Sequence, residues 1–196
     1  MIRRITYKVF WLALILGLPG SQTYGVNCED AYVGIFKETF SSSDYVKGEC
    51  QANACRLLGR LKDAGEPLDN SKVLFFLGTL APRNPRSFFV EWPYHTIVVH
   101  RGVVLDMDYG QQATPLEEGD YLRKNWIPKS FDSDPAVQSH VGSSVKVVEV
   151  PALEFLSGYP LQNDTREARQ EFIQSTVSHR EVIPLNEYLG RVEALP

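Results

Sequence analysis

Positive charge is in short supply in this sequence: 20 Lys and Arg stand against 24 Asp and Glu, a formal net charge of −4. A chain with that balance lacks the cationic surface that holds phosphate backbones or anionic lipid, so neither nucleic acid nor a membrane surface is an expected partner. Cysteine is scarcer, with three residues at 28, 50 and 55, and there are four histidines. The close-spaced Cys or His pairs of zinc sites do not occur, so no metal and no cofactor is expected. Internal repeats, low-complexity tracts and a linker long enough to divide the chain into separate domains are missing too.

The long apolar run that would span a bilayer is also missing. Arg3, Arg4 and Lys8 precede an apolar stretch from Val9 to Leu18, too short against the roughly 20 residues a span needs, and small residues follow it. Residues 1–25 therefore read as a secretory signal peptide, without a lipobox cysteine, and residues 26–196 as a single domain that is secreted or periplasmic. Loss of the three basic residues takes the formal charge to −7.

An odd cysteine count in an oxidising compartment implies a free thiol or an intermolecular bridge. Cys50 and Cys55 share one expected helix, which sets their Cα atoms about 8 Å apart, beyond the ~7 Å a disulfide tolerates. Pairing of Cys28 with Cys55 leaves Cys50 free, whereas pairing with Cys50 would abolish the chemistry considered below. Ala54, Leu58 and Leu61 follow Cys50 at helical spacing and Gly65 suits the C′ position, so a buried helix is expected over 49–64 with Cys50 in its first turn. The free N–H groups there favour a thiolate and can receive an oxyanion. The simpler role is a small hydrophobe packed at a helix end.

The stretch Tyr94 to Tyr109 carries the second half of the pattern. Two β-branched runs flank Arg101-Gly102, which reads as an antiparallel hairpin with polar residues His95, Asp106 and Asp108 at its open end. Side chains alternate faces, so the register decides the chemistry. A two-residue loop sets His95 across from Asp108; a four-residue loop sets it across from Asp106; a three-residue loop puts both aspartates on the far face. In the first two cases a carboxylate can hold the imidazole in one tautomer and stabilise its charge.

The remaining pattern predicts helices over 29–40, 116–124, 164–177 and 184–191, and strands over 71–80, 87–91 and 145–150. Residues 132–144 are polar and irregular, a candidate flap. Trp92 is a candidate shield for the His–Asp bond, and Asn163-Asp164-Thr165 matches a glycosylation sequon. His140 and His179 lie in polar surroundings and read as solvated.

Gly48-x-Cys50-x-x-Asn53-Ala54, then Tyr94-His95 with its aliphatic strand, then Val104-Leu-Asp-x-Asp-Tyr109, resembles the papain-like and transglutaminase-like cysteine hydrolase superfamily. Within it the pattern is similar to protein-glutamine deamidases and N-terminal glutamine amidohydrolases, over about residues 48–122. The resemblance implies an α+β fold, with a nucleophile-bearing helix packed on an antiparallel sheet. It also implies Cys50 as nucleophile, His95 as base and then acid, and Asp106 as the orienting carboxylate, with Asp108 as the alternative. The implied substrate is a protein or peptide whose glutamine side chains are deamidated. Proteolysis or transamidation is the variant within the superfamily. Asn53 and Gln51 are candidate side-chain donors to the oxyanion, with a structural hydrogen bond as the simpler role for each. Two other classes compete: a metal site built from Cys50, His95, Asp106 and Asp108, and an exported binding protein with a dead site.

Overall fold

The computed structural model describes residues 30–80, 92–109, 112–125, 144–163 and 165–194. The expected signal segment, Cys28 with the disulfide expected of it, the loop and strand expected over 82–91, most of the expected 132–144 flap, His140, Asp164 of the sequon and the Trp92 side chain lie outside them.

Helix α1 (Ala31–Ser41) buries Tyr32, Val33 and Phe36. Helix α2 (Cys50–Asp63) buries Ala54, Cys55, Leu57, Leu58 and Leu61, the apolar stripe its sequence spacing implies. Its last turn carries Arg60 and Lys62, which suit the negative end of the helix dipole. Gly65, at φ +82°, turns the chain out of it. The strands are β1 (Ser71–Leu80), β2 (Trp92–His100), β3 (Val103–Leu105), β4 (Leu116–Glu117), β5 (Lys146–Pro151) and β6 (Ile183–Pro184). Helices α3 (Glu118–Asn125), α4 (Ala152–Gly158), α5 (Arg166–Ser178) and α6 (Leu185–Glu193) complete the elements.

The strands form one six-stranded antiparallel sheet in the order β4-β3-β2-β1-β5-β6. Val73, Phe75, Val98, Leu105, Val148 and Val150 pack with α1, α2 and α4. The alternate residues, Leu74, Phe76, Ile97, Val99, Val104 and Val147, pack with Tyr121 and Leu122 of α3 and with Leu185 and Tyr188 of α6. The central strands β1 and β2 are therefore covered on both faces, which is why β1 reads as a nearly continuous apolar run. The fold is α+β, as expected, with a helix that bears Cys50 lying against the sheet.

The hairpin adopts the two-residue register: His100 pairs with Val103, Val99 with Val104 and Val98 with Leu105. Arg101 (φ 53°) and Gly102 (φ 78°) both take the left-handed region, the backbone that matches a tight turn to the twist of its strands. The ladder ends at Leu105, and residues 106–109 turn, with the Tyr109 N–H bonded to the Asp106 carbonyl at 3.4 Å. The face-to-face placement of His95 and Asp108 implied by a straight strand is thereby lost, and both aspartates are gathered at the end of the hairpin.

Candidate active site

Cys50 is the first residue of α2 and a free thiol, half-buried. The loop before it is held on two sides. From the helix, Asn53 Nδ2 donates to the Val46 carbonyl at 2.7 Å, and Asn53 Oδ1 accepts the Val46 N–H at 3.0 Å and Arg56 Nη1 at 3.2 Å. Asn53 is thus a structural clamp and not an oxyanion donor. Gly48 sits at φ +81°, where a side chain would strain the backbone although nothing lies within 4 Å of a Cβ. Glu49 makes loose ion pairs with Arg56 and Arg169, at 3.7 and 3.8 Å.

His95 of β2 is 1% exposed and Asp106 4%. The His95 Nε2 bonds Asp106 Oδ2 at 2.9 Å, and the Cys50 side chain is near enough to act on the ring. Burial works against a charged imidazole. The Asp106 charge and hydrogen bond outweigh it and, with help from Cys50, push the His95 pKa up to about 10. Asp106 accepts two further bonds, from the Tyr121 hydroxyl to Oδ2 at 2.6 Å and from the Asp108 N–H to Oδ1 at 2.9 Å. Burial, reinforced by the Asp106 charge, holds the Tyr121 hydroxyl well above its ordinary pKa, so it remains a donor.

Asp108 is not the carboxylate bonded to His95. Its Oδ1 accepts the Tyr45 hydroxyl at 2.9 Å and the Gly48 N–H at 3.3 Å. Burial raises its pKa, opposed by the nearby His95 and by those two bonds. Gln51 is 1% exposed and its side-chain nitrogen has no hydrogen-bond partner among the described residues.

Tyr121 and Tyr45 are the site residues that sequence reasoning missed. Each is a tyrosine in a polar stretch with nothing in its spacing to mark it, and each meets its aspartate only through the fold. The other buried histidine, His100, is structural. Its Nδ1 lies 2.7 Å from Ser71 Oγ and its ring packs edge-on to Tyr32 at 4.8 Å; burial, helped by Arg101, lowers its pKa, so it stays neutral. His179 lines a cavity of about 430 Å³ with Lys72, Glu149, Tyr188 and Arg191, which shares no residue with the Cys50 site. Among the described residues no three or more His, Cys, Asp or Glu are grouped as a metal site, and no helix is long and apolar enough to cross a membrane.

The fold and the site together define a class in outline: an α+β chain in which a helix-start thiol stands beside a sheet histidine that is bonded to a hairpin-end aspartate. No protein-family model matches the chain, and no curated protein matches it.

Proposed function

We propose that this chain is an exported thiol hydrolase of amide bonds, with Cys50 as nucleophile, His95 as acid and base and Asp106 as the orienting carboxylate. The observation that carries the reading is the imidazole of His95, bonded through Nε2 to Asp106 and close enough to the Cys50 thiol at the start of α2 to feel it. In that arrangement the imidazole stands where it can take the proton of the thiol and later return one.

The thiolate attacks the amide carbonyl carbon, and N–H groups at the start of α2 hold the developing oxyanion. His95 gives its proton to the nitrogen as the carbon–nitrogen bond breaks, which leaves a thioester on Cys50. Water then gives a proton to His95 and attacks the thioester, releasing a carboxylic acid and restoring the thiolate.

The choice of glutamine side chains as substrate, and placement in the papain-like and transglutaminase-like superfamily, rest on the resemblance of residues 48–54, 94–99 and 104–109 to glutamine-directed amidases. Cys50→Ala and His95→Ala should each abolish ammonia release from glutamine-containing peptides while the protein stays folded by circular dichroism. Ammonia release that survives Cys50→Ala ends the proposal. Product mass separates the variants: NH2 exchanged for OH marks deamidation, a cut chain proteolysis, and an added amine transamidation.

A further inference from the structure

Asp108 has no place in the chemistry just described, yet it is 8% exposed and its Oδ1 accepts two hydrogen bonds. We infer that Asp108 is a positioning residue for the nucleophile, fastening the loop that delivers Cys50 to the hairpin end that carries Asp106. Its functional consequence rests on the thiol-hydrolase reading; its geometry does not.

Gly48 lies two residues before Cys50, and its N–H donates to Asp108 Oδ1 at 3.3 Å. Three residues earlier in the chain, the Tyr45 hydroxyl donates to the same oxygen at 2.9 Å, while the Tyr45 ring is stacked on Phe40 of α1 with centroids 5.2 Å apart. The Asn53 clamp on Val46 belongs to α2 and moves with it, so it cannot set where α2 sits relative to the sheet. The Asp108 bonds cross that boundary. Asp108 also donates its own N–H to Asp106 Oδ1 at 2.9 Å, so one short turn fixes both the carboxylate behind His95 and the loop behind Cys50. Among the described residues both donors to the Asp108 side chain are uncharged, with His95 and Asp106 the charged groups beside it, so for these two bonds an acceptor oxygen suffices.

Two measurements read this tether without any substrate: the rate of iodoacetamide alkylation at residue 50, located by peptide mapping across a pH series, and hydrogen-exchange protection of the Gly48 amide. In Asp108→Ala the low-pH alkylation that marks a thiolate held beside an imidazolium should fall about tenfold or more, because sub-ångström misplacement is enough to break up such a pair, and Gly48 should lose protection. Asp108→Asn, which keeps a carbonyl oxygen for both donors, should recover the rate to within about threefold of wild type. Tyr45→Phe removes one donor and should give a smaller loss in the same direction, which keeps the test open if Asp108→Ala misfolds. Wild-type rate and protection in Asp108→Ala, or an Asp108→Asn protein as slow as Asp108→Ala, would overturn the inference. A wild-type Cys50 no more reactive than a free cysteine would instead overturn the hydrolase reading, and Gly48 exchange would then decide the tether alone.

Discussion

A buried imidazole is ordinarily a neutral one, and His95 is the exception because a buried carboxylate bonds to it. Asp106 and Cys50 together hold its pKa near 10 against burial, starting from an ordinary 6.5. The pairing therefore stabilises the fold fully below pH 6.5, and that stabilisation fades as pH rises to about 10. Amide hydrolysis should show the same group as an alkaline limb of kcat/KM near pH 10. Asp106→Asn removes the charge and should drop that limb to the ordinary histidine range or below it. Tyr121→Phe should do the opposite. Its hydroxyl bonds the same Oδ2 that faces His95, at 2.6 Å, and so draws off some of the carboxylate's charge. Without it the limb should rise by about half a unit to one unit. A limb that stays put or falls in Tyr121→Phe would show that the phenol does not tune the pair. That Cys50, His95 and Asp106 belong together was legible in the sequence because a thiol at a helix start and a histidine beside spaced aspartates are uncommon and chemically marked. Tyr121 was not, since it is an ordinary aromatic in a polar helix and the contact exists only once α3 covers the sheet.

At the scale of elements, the loop 45–49 is where local backbone and site geometry meet. Gly48→Ala places a side chain at φ +81° with open space around it, so its cost should be conformational alone, about 1–2 kcal/mol by urea unfolding. Asn53→Ala removes both part-buried bonds to the Val46 backbone and should cost about 1–3 kcal/mol, with slower alkylation of Cys50 because the loop loosens at its helix side. If Asn53→Ala unfolds at the wild-type urea midpoint, the clamp is not what orders this loop. Helix α2, strand β1 and the hairpin could be read from periodicity and from Arg101-Gly102 because each repeats its pattern over enough residues. The two-residue strands β4 and β6 and the short helix α4 could not. Two residues carry no periodicity, and Leu116–Glu117 and Ile183–Pro184 are strands only because β3 and β5 pair with them. Helix α5 begins one residue after Thr165, which caps it, with Thr165 Oγ1 accepting the Ala168 N–H at 3.1 Å.

Across the whole molecule the α+β class was legible, but the strand order was not. The pairing of β1 with β5 joins residues some seventy positions apart, and no local pattern records it. That pairing places a charge inside the sheet. Lys72 alternates with the apolar residues of β1 and meets Glu118 at 3.1 Å and Glu149 at 3.3 Å, while the Tyr188 hydroxyl lies 2.9 Å from a carboxylate oxygen of each. A phenol has one proton and can satisfy one of them. Burial and the two carboxylates raise the Tyr188 pKa, so the hydroxyl cannot supply a compensating charge change, and Lys72 is the cation that joins β1, β5, α3 and α6 on this face. Glu118 is 6% exposed and cannot turn to water. Lys72→Met should therefore lower stability by about 3 kcal/mol in urea unfolding, less than a wholly buried pair would cost because the Glu149 side chain is half-exposed. Adding Glu118→Gln removes the stranded charge while keeping an acceptor for Tyr188, and the double variant should recover to within about 1 kcal/mol of wild type. If the two losses simply add, the Lys72 ammonium acts through Glu149 and the Tyr188 ring, whose centroid lies 5.4 Å from it, and the account that rests on Glu118 is wrong.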